Sequence, residues 1–364
     1  MKTMTFLMLA IKILIWPSLA QPQEPVRLAV AGMSHGHVHT ILRRTSTADF
    51  KLVGLAEADS ALAMRLIRQY ALDPGLWYAD LQDMLDASKP EGVCAFGSIY
   101  DHLEVVRRCA PLGIHVMVEK PLAVNTAHSR AMADLAKGNG IHLLTNYETS
   151  WYPSLSRAGE ILKNGDLGTA RKLVIRNGHQ GPAEIGVNAE FLAWLTDPVQ
   201  NGGGAVIDFG CYGANISTWL MKNRRPESVT AVLQQFKPDI YPLVDDEATI
   251  ILAYPGTVAV IQASWNWPFN RKDMDIYGDG GWLYADDARH TRVKAMGDVA
   301  MRFEEVPLLD PPNDDPYSYF AAVIRAEVDP SGSLSSLENN LIVVEILESA
   351  IRSAKEGKTI FLSE

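Results

Sequence analysis

Residues 27–42, RLAVAGMSHGHVHTIL, set His35, His37 and His39 at alternate positions just after an apolar run. Two chemistries begin this way. A His-x-His pair after a first strand can hold a zinc ion, provided that a further His or carboxylate arrives from later strand ends. The same place is also where a dinucleotide-binding loop turns from strand into helix. The ligand supply weighs against metal, because His102, His115, His128, His142, His179 and His290 have no metal-motif partner nearby. No metal is therefore expected. For the nucleotide loop, Gly32 ends the strand where a tight turn needs a residue without Cβ. In G-x-G-x-x-G spacing, Ser34 and His37 take the second and third glycine places, and Gly36 falls one position early. Ser34 is small enough for the backbone to approach a pyrophosphate, and His35 and His37 add donors.

The second apolar run, FKLVGLAE, ends in Glu57, 25 residues after Gly32. A carboxylate there hydrogen-bonds adenosine ribose hydroxyls and repels a 2′-phosphate, which favours NAD over NADP. Another apolar strand, in HVMVEKPLA, ends in Glu119-Lys120-Pro121. In a doubly wound sheet, the C-terminal ends of strands face the ligand crevice, so this Glu-Lys pair is placed for chemistry. Further on, NGGGAVIDFGCYGANISTWLM sets Asp208, Tyr212 and Asn215 at i, i+4 and i+7 behind three glycines. On one continuous helix these share a face, and three polar groups in a core would each need a partner.

Together these motifs resemble the Gfo/Idh/MocA family: the glucose–fructose oxidoreductases, inositol dehydrogenases and their relatives. The likeness spans nearly the whole chain after its first residues. The triple glycine with Asp208 and Gly210 is similar to the family's second signature, with Tyr212 and Asn215 where His and Asp are usual. The Tyr-x-x-Asn form is similar to that of the glucose–fructose oxidoreductase branch. SLENNLIVVEILESAIRSAKEGKTIFL resembles the family's C-terminal helix and last strand. The resemblance implies NAD binding at Gly32, Ser34, His35, Gly36, His37, Glu57, Ser98, His102, Glu119, Lys120 and Asn146. It places Glu-Lys-Pro beside the nicotinamide and Lys120 on the reacting hydroxyl. It implies catalysis by Lys120, Tyr212 and Asp208, with Tyr212 as acid/base and its pKa lowered by Lys120. In GSIYDHLEVV, Ile99 stands where Asn is usual, and NYETSWYPS lacks the Arg often found after the last Rossmann strand.

Substrate contacts are expected from Trp151, His179, Trp194, Asn215, Trp267, Asn270 and Arg271. Trp faces stack on sugars, while Asn and Arg bind hydroxyls or carboxylates. The implied reaction is NAD(P)-dependent hydride transfer to or from a sugar or polyol hydroxyl carbon. The alternative is a glycoside-cleaving enzyme that passes through a transient keto-sugar and elimination. A third reading, a sugar- and NAD-binding regulator without turnover, is opposed by intact Lys120 and Asp208.

These residues require a scaffold. From Val26 short apolar runs alternate with helical segments, which predicts βαβ units and a parallel sheet. This is a doubly wound NAD-binding Rossmann domain over residues 25–146. Beyond it, SVTAVLQQF, EATIILAYP, TVAVIQASWNW, RKDMDIYG and GGWLYAD follow one another without helices between them. They predict a C-terminal α+β domain, residues 147–364, on a large, mostly antiparallel open sheet. By resemblance, the last helix packs back on the first domain, and the open sheet pairs copies into a homodimer or homotetramer.

The 364 residues, 47% hydrophobic, are enough for two cores, and the formal net charge of −10 excludes a general nucleic-acid binder. Residues 1–20 read as a secretory signal: Lys2, an apolar run from Phe6 to Trp16 broken by Lys12, and Ser18-Leu19-Ala20 before polar Gln21. Cleavage near Ala20 removes two of 33 basic residues and no acid, leaving 31 against 43, or −12. The expectation is a secreted or periplasmic protein that does not engage a membrane after cleavage. Free NAD is scarce there, so a tightly bound, recycled cofactor is expected. Cys94, Cys109 and Cys211 are too few for a disulfide scaffold and are expected as buried thiols.

Overall fold

The computed structural model describes residues 24–362; the expected leader and its cleavage site lie outside the described residues. Six strands form a parallel sheet: β1 (Val26–Ala31), β2 (Phe50–Ala56), β3 (Trp77–Tyr78), β4 (Gly92–Ala95), β5 (His115–Glu119) and β6 (Leu143–Asn146). Their order is β3-β2-β1-β4-β5-β6, so the direction of winding reverses between β1 and β4. Helices cover both faces, which is why these strands read as continuous apolar runs. Val30, Ile41 and Leu66 fill one side, and Ala29, Val106 and Met132 the other. The helices start where short polar side chains satisfy free amides. Asp59 accepts from the amides of Ala61 and Leu62, and Asn125 from that of His128.

The second sheet has nine strands: β7 (Ala170–Gly178), β8 (Ser228–Gln234), β9 (Glu247–Tyr254), β10 (Thr257–Ser264), β11 (Arg271–Gly278), β12 (Gly281–Ala285), β13 (His290–Ala295), β14 (Arg302–Glu305) and β15 (Ile360–Phe361). Their order is β14-β13-β12-β11-β7-β10-β9-β8-β15, antiparallel except for the parallel β7–β10 pair. Alternate residues such as Ile175, Ile250, Ile261 and Met274 are buried under helices Pro153–Asn164, Gly210–Leu220 and Leu337–Glu356. The opposite face leaves Val232, Ile251, Val258 and Tyr277 exposed.

The chain then returns to the first sheet. Helix Pro316–Ile324 packs Tyr317 and Phe320 into the core behind β1 and β2. Helix Leu337–Glu356 touches β8 on one side and helix Thr126–Asn139 on the other. The three cysteines are free and buried.

The single helix expected over 204–222 is broken. It forms Ala205–Asp208, then Phe209 at φ −109°, then Gly210–Leu220. Asp245 fixes the first piece: its carboxylate accepts from the amides of Gly204 (2.9 Å) and Val206 (2.7 Å), and its carbonyl from Ala205. A Cβ on Gly204 would lie 1.8 Å from that carbonyl oxygen, so the third glycine permits the clamp.

At the reversal point, Gly32 adopts φ +74°, and a Cβ there would lie 2.6 Å from the Gly97 amide nitrogen. The loops after β1 and β4 thus meet backbone to backbone. Gly32→Ala is expected to lower the unfolding free energy by about 1–3 kcal/mol from the left-handed backbone alone, with the clash adding to it. Urea denaturation monitored by circular dichroism measures this.

Candidate active site

Adjacent side chains at a strand end point to opposite sides. Glu119 and Lys120, at the end of β5, use this to make two separate buried pairs. Lys120 turns to the second domain, where its Nζ donates to Asp208 Oδ1 at 2.5 Å and to the Asp208 carbonyl at 3.0 Å. The other carboxylate oxygen, Oδ2, accepts from Trp265 Nε1 at 2.9 Å. Both charged groups are buried. Burial by itself lowers the pKa of Lys120, but Asp208 outweighs it and the net direction is up. Burial opposes ionisation of Asp208 as well, yet Lys120, His179 and Trp265 bring it to about 2. The pair is ionised, and Lys120 cannot accept a proton.

Glu119 turns the other way. Its Oε2 meets His37 Nδ1 at 2.9 Å and its Oε1 accepts from Asn146 Nδ2 at 2.8 Å. These contacts, with His35 nearby, outweigh burial and hold the carboxyl at about 2. Asn146 is used up, because Trp151 Nε1 donates to its Oδ1.

Both pairs border a cavity of about 650 Å³ between the glycine loop and β11. His35, His37, Lys120, Asp208, Tyr212, His179, Asn270 and Arg271 line it. The Lys272 and Lys120 ammonium groups lie 4.9 and 5.2 Å from the centroid of the Tyr212 ring. Lys120 does not lower the Tyr212 pKa as expected. Burial, followed by Glu148, Cys211, Asp208 and Glu119, pushes it well above the ordinary value. Tyr212 is a proton-bearing donor whose hydroxyl makes no hydrogen bond among the described residues.

Four expected substrate contacts lie elsewhere. Asn215 is buried about one turn beyond Tyr212 and donates to the Leu334 carbonyl and to Asn339 Oδ1, so its side chain is spent on the segment before the last helix and on that helix. Trp151 packs on Tyr319 and holds Asn146. Trp194 Nε1 donates to Ser34 Oγ, so it lies on the glycine loop. Trp267 packs against Gly178, with the Arg271 guanidinium 5.7 Å from its ring centroid. Aromatic residues near a site have no sequence signal for direction. Among the lining residues missed from sequence are the polar groups of Glu148, Tyr152, Lys272, Asp273, Tyr284, Asp286 and Asp287. Lys272 was within reach, because it follows Arg271 at the start of β11.

The Gly32–Gly97 approach is a cradle that any Cβ would fill. The loop amides of Met33, His35 and His37 are taken by Glu57, the Phe96 carbonyl and His35 Nδ1. Those of Ser34 and Gly36 have no partner among the described residues. Glu57 ends β2 with its carboxylate on the Met33 and Asp59 amides and burial raising its pKa. These features fit a dinucleotide. Ser98 bonds Asp101 and Gln200 instead, and His102 is buried with Nδ1 on the Leu122 carbonyl and its pKa lowered to about 4. With Asn146, these two support the crevice from behind.

Residues 26–147 match the family model described as an oxidoreductase family with an NAD-binding Rossmann fold, and residues 155–284 match the GFO/IDH/MocA C-terminal domain. Trans-1,2-dihydrobenzene-1,2-diol dehydrogenase of Bos taurus is 28% identical over 230 residues, covering 63% of this chain and 64% of its own length. The chain thus spans just under two thirds of that relative. Among solved structures, aldose-aldose oxidoreductase from Caulobacter crescentus, complexed with glycerol, superposes with TM-score 0.80 at 22% identity, covering 93% of this chain and all of its own. An inositol dehydrogenase homolog from Azotobacter vinelandii, complexed with NAD+, gives 0.80 at 18%, covering 93% and 98%. These two likenesses establish the fold.

Asp208 and Glu119 titrate near 2 in the folded chain, against ordinary values of 3.8 and 4.5. The unfolded chain therefore binds protons first as pH falls. Stability from both groups is full above about pH 5 and is lost progressively down to about pH 2. Asp208→Asn leaves the Lys120 charge buried without a counter-ion, an expected loss of about 3–5 kcal/mol at neutral pH. Urea titrations of both proteins from neutral to acid pH check the window and the size of the loss.

Proposed function

The chain belongs to the Gfo/Idh/MocA family of NAD-binding oxidoreductases, and we propose that it moves hydride between NAD and a carbinol carbon of a sugar or polyol. The observation that carries this reading is the buried Lys120–Asp208 pair, its ammonium 5.2 Å from the Tyr212 ring centroid, in a cavity that reaches the glycine loop. NAD, when bound, supplies the hydride acceptor or donor. The chain's own residues do the rest. Lys120 and Tyr212 present a fixed cation and a protonated hydroxyl to the substrate oxygen. Asp208 holds Lys120 in place and keeps it charged. Phe191 packs on the His35 ring at 4.5 Å, and Trp194 donates to Ser34, so the loop is braced against the second domain.

The carboxylates Glu148, Asp208, Asp273, Asp286 and Asp287 on the cavity wall all bond partners of their own, among them Lys272, Lys120, Arg271, Arg292 and the Arg289 amide. A wall of paired charges suits a neutral polyhydroxylated substrate. The leader-like residues 1–20 support export, and outside the cytoplasm the cofactor is held and recycled. The exposed face of the second sheet supports pairing of two or four copies. Sedimentation equilibrium is expected to show a dimer or tetramer, and a monomer at micromolar concentration would refute that assembly.

Purified protein is expected to release NAD on denaturation and to reduce it with a polyol or aldose. Lys120→Ala is expected to keep cofactor binding while kcat falls by about 100-fold or more. Mass spectrometry of the released cofactor and steady-state rates on a panel of aldoses and polyols decide. Wild-type rates from Lys120→Ala would refute the assignment.

A further inference from the structure

Of the groups that line the cavity, nearly all have their proton-accepting atoms occupied. Lys120 is a paired cation, and both Asp208 oxygens are taken. Tyr212 keeps its proton. His35 Nδ1 accepts from the His37 amide at 3.0 Å, which places the ring proton on Nε2. His179 Nδ1 accepts from the Gly181 amide at 2.9 Å, with the same consequence. Glu148 is bonded by Lys272 and Tyr152. His37 differs. Its Nδ1 faces Glu119, a buried carboxylate that only accepts, so Nδ1 carries the proton. Its Nε2 is then a lone pair on the edge away from Glu119. The His37 side chain is 34% exposed against 1% for Glu119, and it lines the cavity.

We propose that His37, oriented by Glu119, is the general base of the cavity and takes the substrate hydroxyl proton on Nε2. This rests on the reading of the cavity as a site of alcohol oxidation. As the C–H bond sends its electron pair to the nicotinamide as hydride, the O–H electron pair becomes the second C–O bond and the proton passes to Nε2. The alcohol is oxidised, NAD is reduced, and the reverse direction returns both. His37 is the catalytic residue and Glu119 a positioning residue, an arrangement in which a carboxylate selects the tautomer of a histidine base. His35, His37 and Glu119 also have ligand atoms within 4.8 Å of one another. The hydrogen bonds oppose a three-ligand site there, because His35 Nδ1 accepts from the His37 amide and both Glu119 oxygens are taken by His37 and Asn146, which leaves only His37 Nε2.

The groups facing His37 are His35 on its own loop, Glu119 and Lys120 at the end of β5, Glu148 after β6, and Asp208 and Lys272 beyond them. The test compares wild type, His37→Gln, Glu119→Gln and Lys120→Ala, each saturated with NAD. Long-range 15N–1H spectra of the wild type are expected to show His37 protonated on Nδ1, with Glu119→Gln giving a tautomer mixture. His37→Gln is expected to lower kcat by about 100-fold or more and to abolish the fall in rate on the acid side of the profile. Its NAD affinity, read by tryptophan fluorescence, is measured alongside, so that the loss of kcat is read at saturating cofactor. Three results overturn the proposal: an unchanged kcat and acid limb in His37→Gln, an Nε2–H tautomer in wild type, or stoichiometric metal lost with His37. If wild type and Lys120→Ala are both inactive on every aldose and polyol, the oxidoreductase reading fails instead. The tautomer spectrum then decides the dyad on its own.

Discussion

The Lys120–Asp208 ion pair is the constraint around which this structure is arranged. Two charges taken out of water are costly unless the geometry is close and the remaining hydrogen-bonding capacity is met. Here both conditions hold, through the Trp265 indole on the second carboxylate oxygen and the Asp208 carbonyl on the ammonium. One partner comes from the end of the parallel sheet and the other from the helix piece behind the triple glycine. The pair therefore fixes the two sheets relative to each other, and the cavity is the space left between them. The Asp245 clamp on Gly204 and Val206 matters for the same reason, because it sets where Asp208 ends its helix.

A second consequence follows from the pleat. Glu119 and Lys120 are neighbours in sequence, yet the strand end sends them to opposite partners. Two adjacent positions thus send an acceptor to His37 on the glycine loop and a donor to Asp208 of the second domain. Burial raises the Tyr212 phenol, so the cavity presents cation, hydroxyl and imidazole without any of them exchanging a proton in the resting state. The histidine loop, which on sequence alone was ambiguous between metal ligands and a nucleotide turn, becomes intelligible here. Gly32 makes the turn, His35 is spent on the loop's own amide, and His37 reaches across to Glu119.

Much of this was readable from the chain. Apolar runs punctuated by helices led to the parallel sheet, since strands buried on both faces must be apolar throughout. Successive strands without helices led to the open sheet. Lys120 was readable because it closes an apolar strand at the sheet end, and Asp208 because it follows a triple glycine in a signature that the family shares. What sequence did not carry was direction and long-range pairing. Asn215 was misplaced because a helical face does not say which neighbour covers it one turn further on, and here Leu334 and Asn339 take its amide. Trp151, Trp194 and Trp267 were aromatic and near the site, yet each turns its ring to a protein partner. The Glu119–His37 bond joins residues 82 positions apart, and no local pattern encodes it.

The paired character of the cavity wall bears on what it can hold. A carboxylate substrate would add an anion to a wall that already carries Asp208, Asp273 and Glu148, whose charges are balanced by Lys120, Arg271 and Lys272. A neutral polyol adds no charge. Its hydroxyls can donate to carboxylates and accept from ammonium and guanidinium groups that stay in their pairs. As it displaces water the local dielectric falls, and each intact pair holds its geometry more firmly. On the proposed reaction, binding would tighten the arrangement around the substrate oxygen without altering any charge, and the proton and the hydride would be the only charges to move.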